Sequence, residues 1–137
     1  MRGPSVLIVA TAVLAAACDS TINRLIGLAG SGNTATHLAF TVQPSNTGAG
    51  LVIAPALVVV AQNASGNADT TYTNSVTVTI GANPGGGTLS GTSTVVSSHG
   101  VATFNNLSIN NAGTGYTLTA AAPLLTSATS ATFNITP

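Results

Sequence analysis

The stretch Val76-Thr77-Val78-Thr79-Ile80 decides the fold class of this chain. Apolar residues alternate with threonine at every position, so one face of an extended strand is apolar and the other polar. Such alternation is typical of a half-buried β-strand, and β-branched residues suit a pleated sheet. Further strands are predicted at 38–42, 56–62, 88–89, 94–97, 100–104, 116–120 and 131–135.

Turn signals separate these strands about every ten residues. The segment 63–67 is predicted to be a turn in which Gly66 adopts a positive φ. The glycine-rich segment 82–87 is predicted to be an irregular loop. Seven or eight short strands in this arrangement predict an antiparallel β-sandwich over residues 36–137. The predicted core consists of Phe40, Leu57, Val59, Val78, Phe104, Leu107, Leu118 and Phe133.

Charged residues are nearly missing from the sequence. They make up 3% of the 137 residues, against roughly 25% in ordinary soluble domains. Arg2, Asp19, Arg24 and Asp69 are the whole set, so no lysine or arginine follows Arg24. Because affinity for phosphate needs such cations, a nucleic-acid partner is excluded. With 45% hydrophobic residues the chain is also not typical of a disordered protein.

The N-terminal segment 1–17 is predicted to be a signal peptide. Arg2 gives it a positive start, and the apolar stretch 6–17 is shorter than the ~20 residues that span a membrane. The stretch ends at Cys18, the only cysteine, and small residues before a lone cysteine resemble the bacterial lipoprotein signal. That resemblance implies acylation of Cys18 and anchoring in the cell envelope by its acyl chains. Leu14 stands one position further from the cysteine than the motif prefers. Two alternatives remain open: cleavage after 15–17 by ordinary signal peptidase, leaving a free thiol, or a buried cysteine without chemistry.

Residues 18–35 are predicted to form a flexible tether, because Gly27, Gly30 and the run 31–34 have the composition of a flexible linker. A small apolar cluster lies within it, at Ile22, Leu25, Ile26 and Leu28. The cluster is interpreted as a frayed turn, and the alternative is a segment that pairs with the sheet edge of a neighbour.

Three motifs of the β-region resemble those of a bacterial immunoglobulin-like domain of the invasin and intimin type. They are the segments 58–67, 100–109 and 113–120, which contain Gly66, Gly100, Phe104, Gly115 and Tyr116. Gly115-Tyr116 stands where such domains place the tyrosine corner, in which the tyrosine hydroxyl bonds back to the main chain. The resemblance covers residues 37–137 and implies adhesion, spacing or display outside the cell. The family usually occurs as tandem repeats, and here the motifs occur once.

The sequence offers few groups for catalysis or metal binding. Asp69 and either His37 or His99 could formally complete a triad with a serine, but no nucleophile motif accompanies them. The same residues lack the spacing of a zinc site. Asn63, Ser65, Asn67 and Asp69 recur at every second residue, as at the start of a calcium loop, yet the chain contains no glutamate to complete one. No catalytic residue, metal or cofactor is therefore predicted.

Two functions follow from these observations. The first is a non-enzymatic surface lipoprotein that presents one immunoglobulin-like domain for adhesion or display. The second is a subunit that self-assembles into a fibre or surface layer, either through sheet edges that lack the protective lysines and inward charges or through a donated N-terminal segment. Glycan binding is a third possibility, but with Tyr72 and Tyr116 as the only tyrosines and no tryptophan the aromatic platform is small.

Overall fold

The computed structural model describes residues 34–137, whose regular structure is all β. The predicted signal peptide, the acylation site Cys18 and most of the tether lie outside the described residues. Twelve strands follow one another in the unit Ala35–Pro137. They are β1 His37–Val42, β2 Thr47–Gly48, β3 Leu57–Gln62, β4 Ser75–Ile80, β5 Leu89–Ser90, β6 Thr94–Val96, β7 Val101–Phe104, β8 Ser108–Ile109, β9 Gly113–Tyr116, β10 Leu118–Ala121, β11 Ala128–Thr129 and β12 Phe133–Thr136.

The alternating pattern of the sequence becomes an alternation of burial. In β4, Val76 and Val78 are buried and Thr79 is exposed, as the period of two predicts. Strand β3 is apolar at nearly every position and lies between β1 and β7. Its central place explains why Leu57, Val59 and Val60 are all buried.

The strands form two main layers and a small ribbon. One layer has the order β1-β3-β7, with both pairs antiparallel. The other combines the orders β2-β12-β9 and β11-β10-β4-β6, which are continuous because only Thr117 separates β9 from β10. All its pairs are antiparallel except β2 with β12. Strands β5 and β8 form a separate antiparallel ribbon.

A single apolar cluster joins these layers, which makes the architecture β-sandwich-like. Of the predicted core, all members but one are buried in it. The exception is Phe40, which packs against the cluster but stays partly exposed because β1 is the first strand of its layer. The cluster also contains Ile53, Ile109 and Tyr116, which the strand pattern did not single out.

The number of strands exceeds the predicted seven or eight. The predicted strand 116–120 is interrupted at Thr117, where the main chain bonds to Gly81 and Ala82 instead of continuing its ladder. Strands β2, β8 and β11 are two residues long, too short to show a period in the sequence.

Candidate functional site

The only charged side chain among residues 34–137 is buried inside the fold. Asp69 is 4% exposed and follows the turn after β3. Its Oδ2 accepts a hydrogen bond of 2.9 Å from the amide of Ala35, and its Oδ1 accepts bonds from the amide and the hydroxyl of Thr71. The carboxylate therefore fastens the first residue of the unit to the loop between β3 and β4.

These bonds determine the ionisation of Asp69. Burial acts to raise the pKa of its carboxyl, but the hydrogen bonds from the Thr71 hydroxyl and from the amides of Ala35 and Thr71 outweigh burial, so the pKa lies below its usual value. At neutral pH the group is an ionised acceptor, and both of its oxygens already accept hydrogen bonds from the protein. Such a carboxylate serves structure, and it is poorly suited to act as a general base or a metal ligand.

The segment that resembles the start of a calcium loop is a closed turn. Oδ1 of Asn63 accepts bonds from the amides of Ser65 and Asn67, at 2.9 and 3.0 Å, and Gly66 has φ 86°. Oδ1 of Asn63 and Oδ1 of Asp69 thus accept from amides of their own loops, and Oδ2 of Asp69 accepts from the distant amide of Ala35. Among the described residues, no group of three or more His, Cys, Asp or Glu is placed to hold a metal ion.

The two histidines lie in different environments. Nδ1 of His37 is 3.1 Å from the hydroxyl of Thr36 at the start of β1. His99 lies in the turn between β6 and β7 and has φ 51°, followed by Gly100 with φ 79°. A side chain on Gly100 would collide with the main-chain oxygen of Asp69, so this glycine allows the turn to pack on the aspartate loop.

Tyr116 is fully buried at the end of β9. Its hydroxyl donates a hydrogen bond of 2.8 Å to the carbonyl oxygen of Asn111, five residues upstream, and its ring lies 6.1 Å from that of Phe133. Gly115, with φ 95°, precedes it. Phe104, also among the residues singled out in the sequence, is buried in the same core at the end of β7.

A glycine cradle, formed by Gly85 and Gly87, encloses the hydroxyl of Tyr116. A Cβ atom on Gly85 would lie 2.6 Å from that hydroxyl oxygen, and one on Gly87 would lie 2.8 Å from it. The sequence showed only an irregular loop at this place. Its glycines are required by the close approach of the tyrosine, which the run of three glycines alone does not reveal.

A shallow groove of about 380 Å³ lies beside the C-terminal half of β4. Its lining is neutral and mixed in polarity, and it includes Ile80, Asn83, Thr88, Leu89 and Ser93. Since Thr79 and Ile80 of β4 extend beyond the part of the strand that β6 covers, the groove is a gap at the side of this layer.

The layer that contains β4 ends in an open strand edge, which consists of β6. The pairs Val78–Ser93 and Asn74–Ser97 are joined by main-chain bonds of 2.7 and 3.1 Å. Because main-chain groups alternate between the two sides of a strand, Val95 also faces β4, whereas Thr94 and Val96 point their N–H and C=O groups away from it. No other described strand pairs with that side of β6.

Strand β1 is the edge strand of the opposite layer, and its outward main-chain groups already have hydrogen-bond partners. The outward amide of Leu38 donates to Thr126 O at 2.9 Å, and the outward carbonyl of Phe40 accepts a bond from the side chain of Gln43. Strand β6 lacks such covers, and Val96 is 66% exposed. With no charge and no proline at this edge, the short length of β6, three residues, is its main protection against pairing with another strand.

No family model matches the chain, and no curated protein matches it. Within residues 34–137, no helix is long and apolar enough to cross a membrane.

Proposed function

We propose that residues 36–137 form an immunoglobulin-like domain of the bacterial invasin and intimin type. The strand order supports this, because β1, β3 and β7 share one layer while β4, β9–β10 and β11–β12 share the other, as strands A, B, E and C, F, G do in such domains. The bond from Tyr116 to Asn111 at the beginning of the strand equivalent to F has the form of a tyrosine corner.

The domain serves adhesion or display rather than catalysis, as part of a surface lipoprotein anchored through Cys18. The observation that carries this function is the use of Asp69. The one carboxylate of the described unit is consumed by internal hydrogen bonds, which leaves a neutral surface of threonine, serine, asparagine and small residues. Such a surface suits contact with other molecules, whereas acid–base and metal chemistry need several ionisable groups brought together in one site.

Lipid labelling of the full chain in a Gram-negative host tests this function. The natural chain is expected to take up radioactive palmitate, to sediment with membranes and to be stained on intact cells by an antibody against the domain. A Cys18→Ser variant loses the label, and a matched Cys18→Ser/Ser20→Cys variant, with its thiol two residues away, does not regain it. A natural chain without label, found in the soluble fraction, would contradict the lipoprotein function.

A self-assembling subunit is the second function, and the open edge of β6 is the observation that favours it. Sedimentation of the purified full chain over a range of concentrations tests it. Assembly that increases with concentration supports this function, and a monomer at every concentration argues against it.

A further inference from the structure

We propose that two copies of this chain associate by antiparallel pairing of β6 with β6, about a two-fold axis at Val95. The pairing rests on the proposed self-assembly and names the surface that carries it. It would join the layer that contains β4 in one copy to the same layer in the other, because β6 is the last strand of that layer.

The direction of the main-chain groups fits this pairing. With Val95 opposite its own counterpart, Thr94 of one copy lies opposite Val96 of the other. Both residues point their N–H and C=O groups outward, so they exchange hydrogen bonds in both directions, as a hydrogen-bonded antiparallel pair does. Val95 directs its own main-chain groups toward β4, which matches the non-hydrogen-bonded position between two such pairs.

The ends of the open edge explain why the occupant is a second copy. One pair further out, Ser98 lies opposite Thr92 of the other copy. The amide of Thr92 is already bonded to the side chain of Asn106 at 2.9 Å, and Ser98 is already bonded to Val101. The open segment is therefore limited to Thr94, Val95 and Val96, and a second copy presents a segment of the same length. A long extended peptide would continue past both ends and find the main-chain groups there occupied.

Electrostatics does not oppose this contact. No residue from Thr92 to Ser98 has an ionisable side chain, so two copies of the edge meet without repulsion. The exposed side of Val96 loses contact with water when it packs beside Thr94 of the partner. Since three residues on each side bury less than the ~800 Å² per partner of a stable interface, the dimer is weak and depends on concentration.

Disulfide cross-linking tests the register. In the full chain with Cys18→Ser, a mixture of Thr94→Cys and Val96→Cys chains should form a mixed dimer, because opposite residues of a hydrogen-bonded pair lie about 5.5 Å apart between Cα atoms. Either variant alone places its cysteines on a diagonal, at roughly 7–8 Å. We expect at least three times more cross-linked dimer in the mixture. Equal yields, or cross-links to another protein of the host, would overturn the proposal.

A charged edge provides the second test. Val96→Lys should raise the dissociation constant of the dimer, measured by analytical ultracentrifugation of the full chain, at least tenfold. The control Leu124→Lys places the same charge on a fully exposed residue between β10 and β11 and should leave the constant unchanged. Circular dichroism verifies that both variants fold.

The outcomes of these tests distinguish a failure of the β6 pairing from a failure of the self-assembly function. If the chain associates but Val96→Lys and the register pair have no effect, another surface carries the association and the pairing through β6 is wrong. If the natural chain is a monomer at every concentration, both the pairing and the structural-subunit function are wrong. The display function is tested separately, by lipid labelling, membrane sedimentation and antibody staining of intact cells.

Discussion

Replacing Asp69 with asparagine should remove a large share of the stability of this fold. The asparagine oxygen can still accept from Thr71, but its NH₂ group replaces the oxygen that faces the amide of Ala35. Two donors then meet, and the buried amide of Ala35 loses its acceptor. An unsatisfied buried group costs about 1–3 kcal/mol, and bonds to a charged acceptor are stronger than those to a neutral one. We expect a loss of about 2–3 kcal/mol in the free energy of unfolding.

The stability lost in Asp69→Asn should depend on pH, because the pKa of Asp69 is lowered in the folded chain. Because the pKa of Asp69 is lower in the folded chain than in the unfolded one, the carboxylate contributes its full stabilisation above the unfolded pKa, about 4, and loses it as the pH falls through the folded value. The difference in stability between the natural chain and Asp69→Asn should therefore be constant from pH 7 to about 5. It should shrink below pH 4.

Urea unfolding of the full chain, followed by circular dichroism, measures both effects. In a thermal scan at neutral pH, a loss of 2 kcal/mol should lower the melting temperature by about 8–16 °C in a unit of this size. Thr70→Ala, a substitution at the exposed neighbouring residue, serves as the matched control and should change little. A cost below about 0.5 kcal/mol for Asp69→Asn would refute the conclusion that the Asp69 carboxylate stabilises the fold by binding Ala35. A stability difference that persists unchanged at pH 3 would refute it as well.

Three further predictions concern the tyrosine, its cradle and the surface. Tyr116→Phe should cost about 0.5–1.5 kcal/mol in urea unfolding, the net contribution of one ordinary hydrogen bond, because the carbonyl of Asn111 loses its donor; an unchanged midpoint would contradict this. Gly85→Ala should cost at least about 3 kcal/mol, the upper end of ordinary overpacking, since its Cβ collides with both the carbonyl of Ala112 and the Tyr116 hydroxyl. The control Gly86→Ala has open space and incurs only the cost of its φ of 62°, about 1–2 kcal/mol, so equal or reversed losses would argue against the cradle. Association of the full chain, followed by sedimentation, should change less than about threefold between 50 and 500 mM salt, because surface contacts without charge are not screened, and a tenfold change would count against a neutral interface.

Much of the fold could be predicted from local sequence because its strands have the period of two. The alternation in β4 and the apolar run of β3 define both the strands and the faces that they bury. Gly66 takes the positive φ that the turn at 63–67 predicted. These features depend on neighbours in the sequence, which a single sequence displays.

The rest depends on contacts between distant residues. Asp69 appeared as a lone carboxylate, and only the fold brings Ala35 to it; Thr71, two residues on, was the one local signal of an Asx-type turn. The glycine cradle was visible as a loop but not as a support for Tyr116. Whether an edge is covered is also invisible in sequence, because β6 and β1 differ through the partners of their outward main-chain groups.

The neutral surface has a practical consequence for anyone who handles this protein. Trypsin cleaves after lysine or arginine, and beyond Arg24 the chain contains neither. Trypsin will therefore yield one long fragment from Leu25 onward whether the domain is folded or not. A standard peptide-mapping digest will miss this fragment because of its length. Reagents that couple to lysine amines find nothing to modify in the described unit. A protease that cuts beside apolar residues, such as chymotrypsin or elastase, is the reagent that will report on its folding.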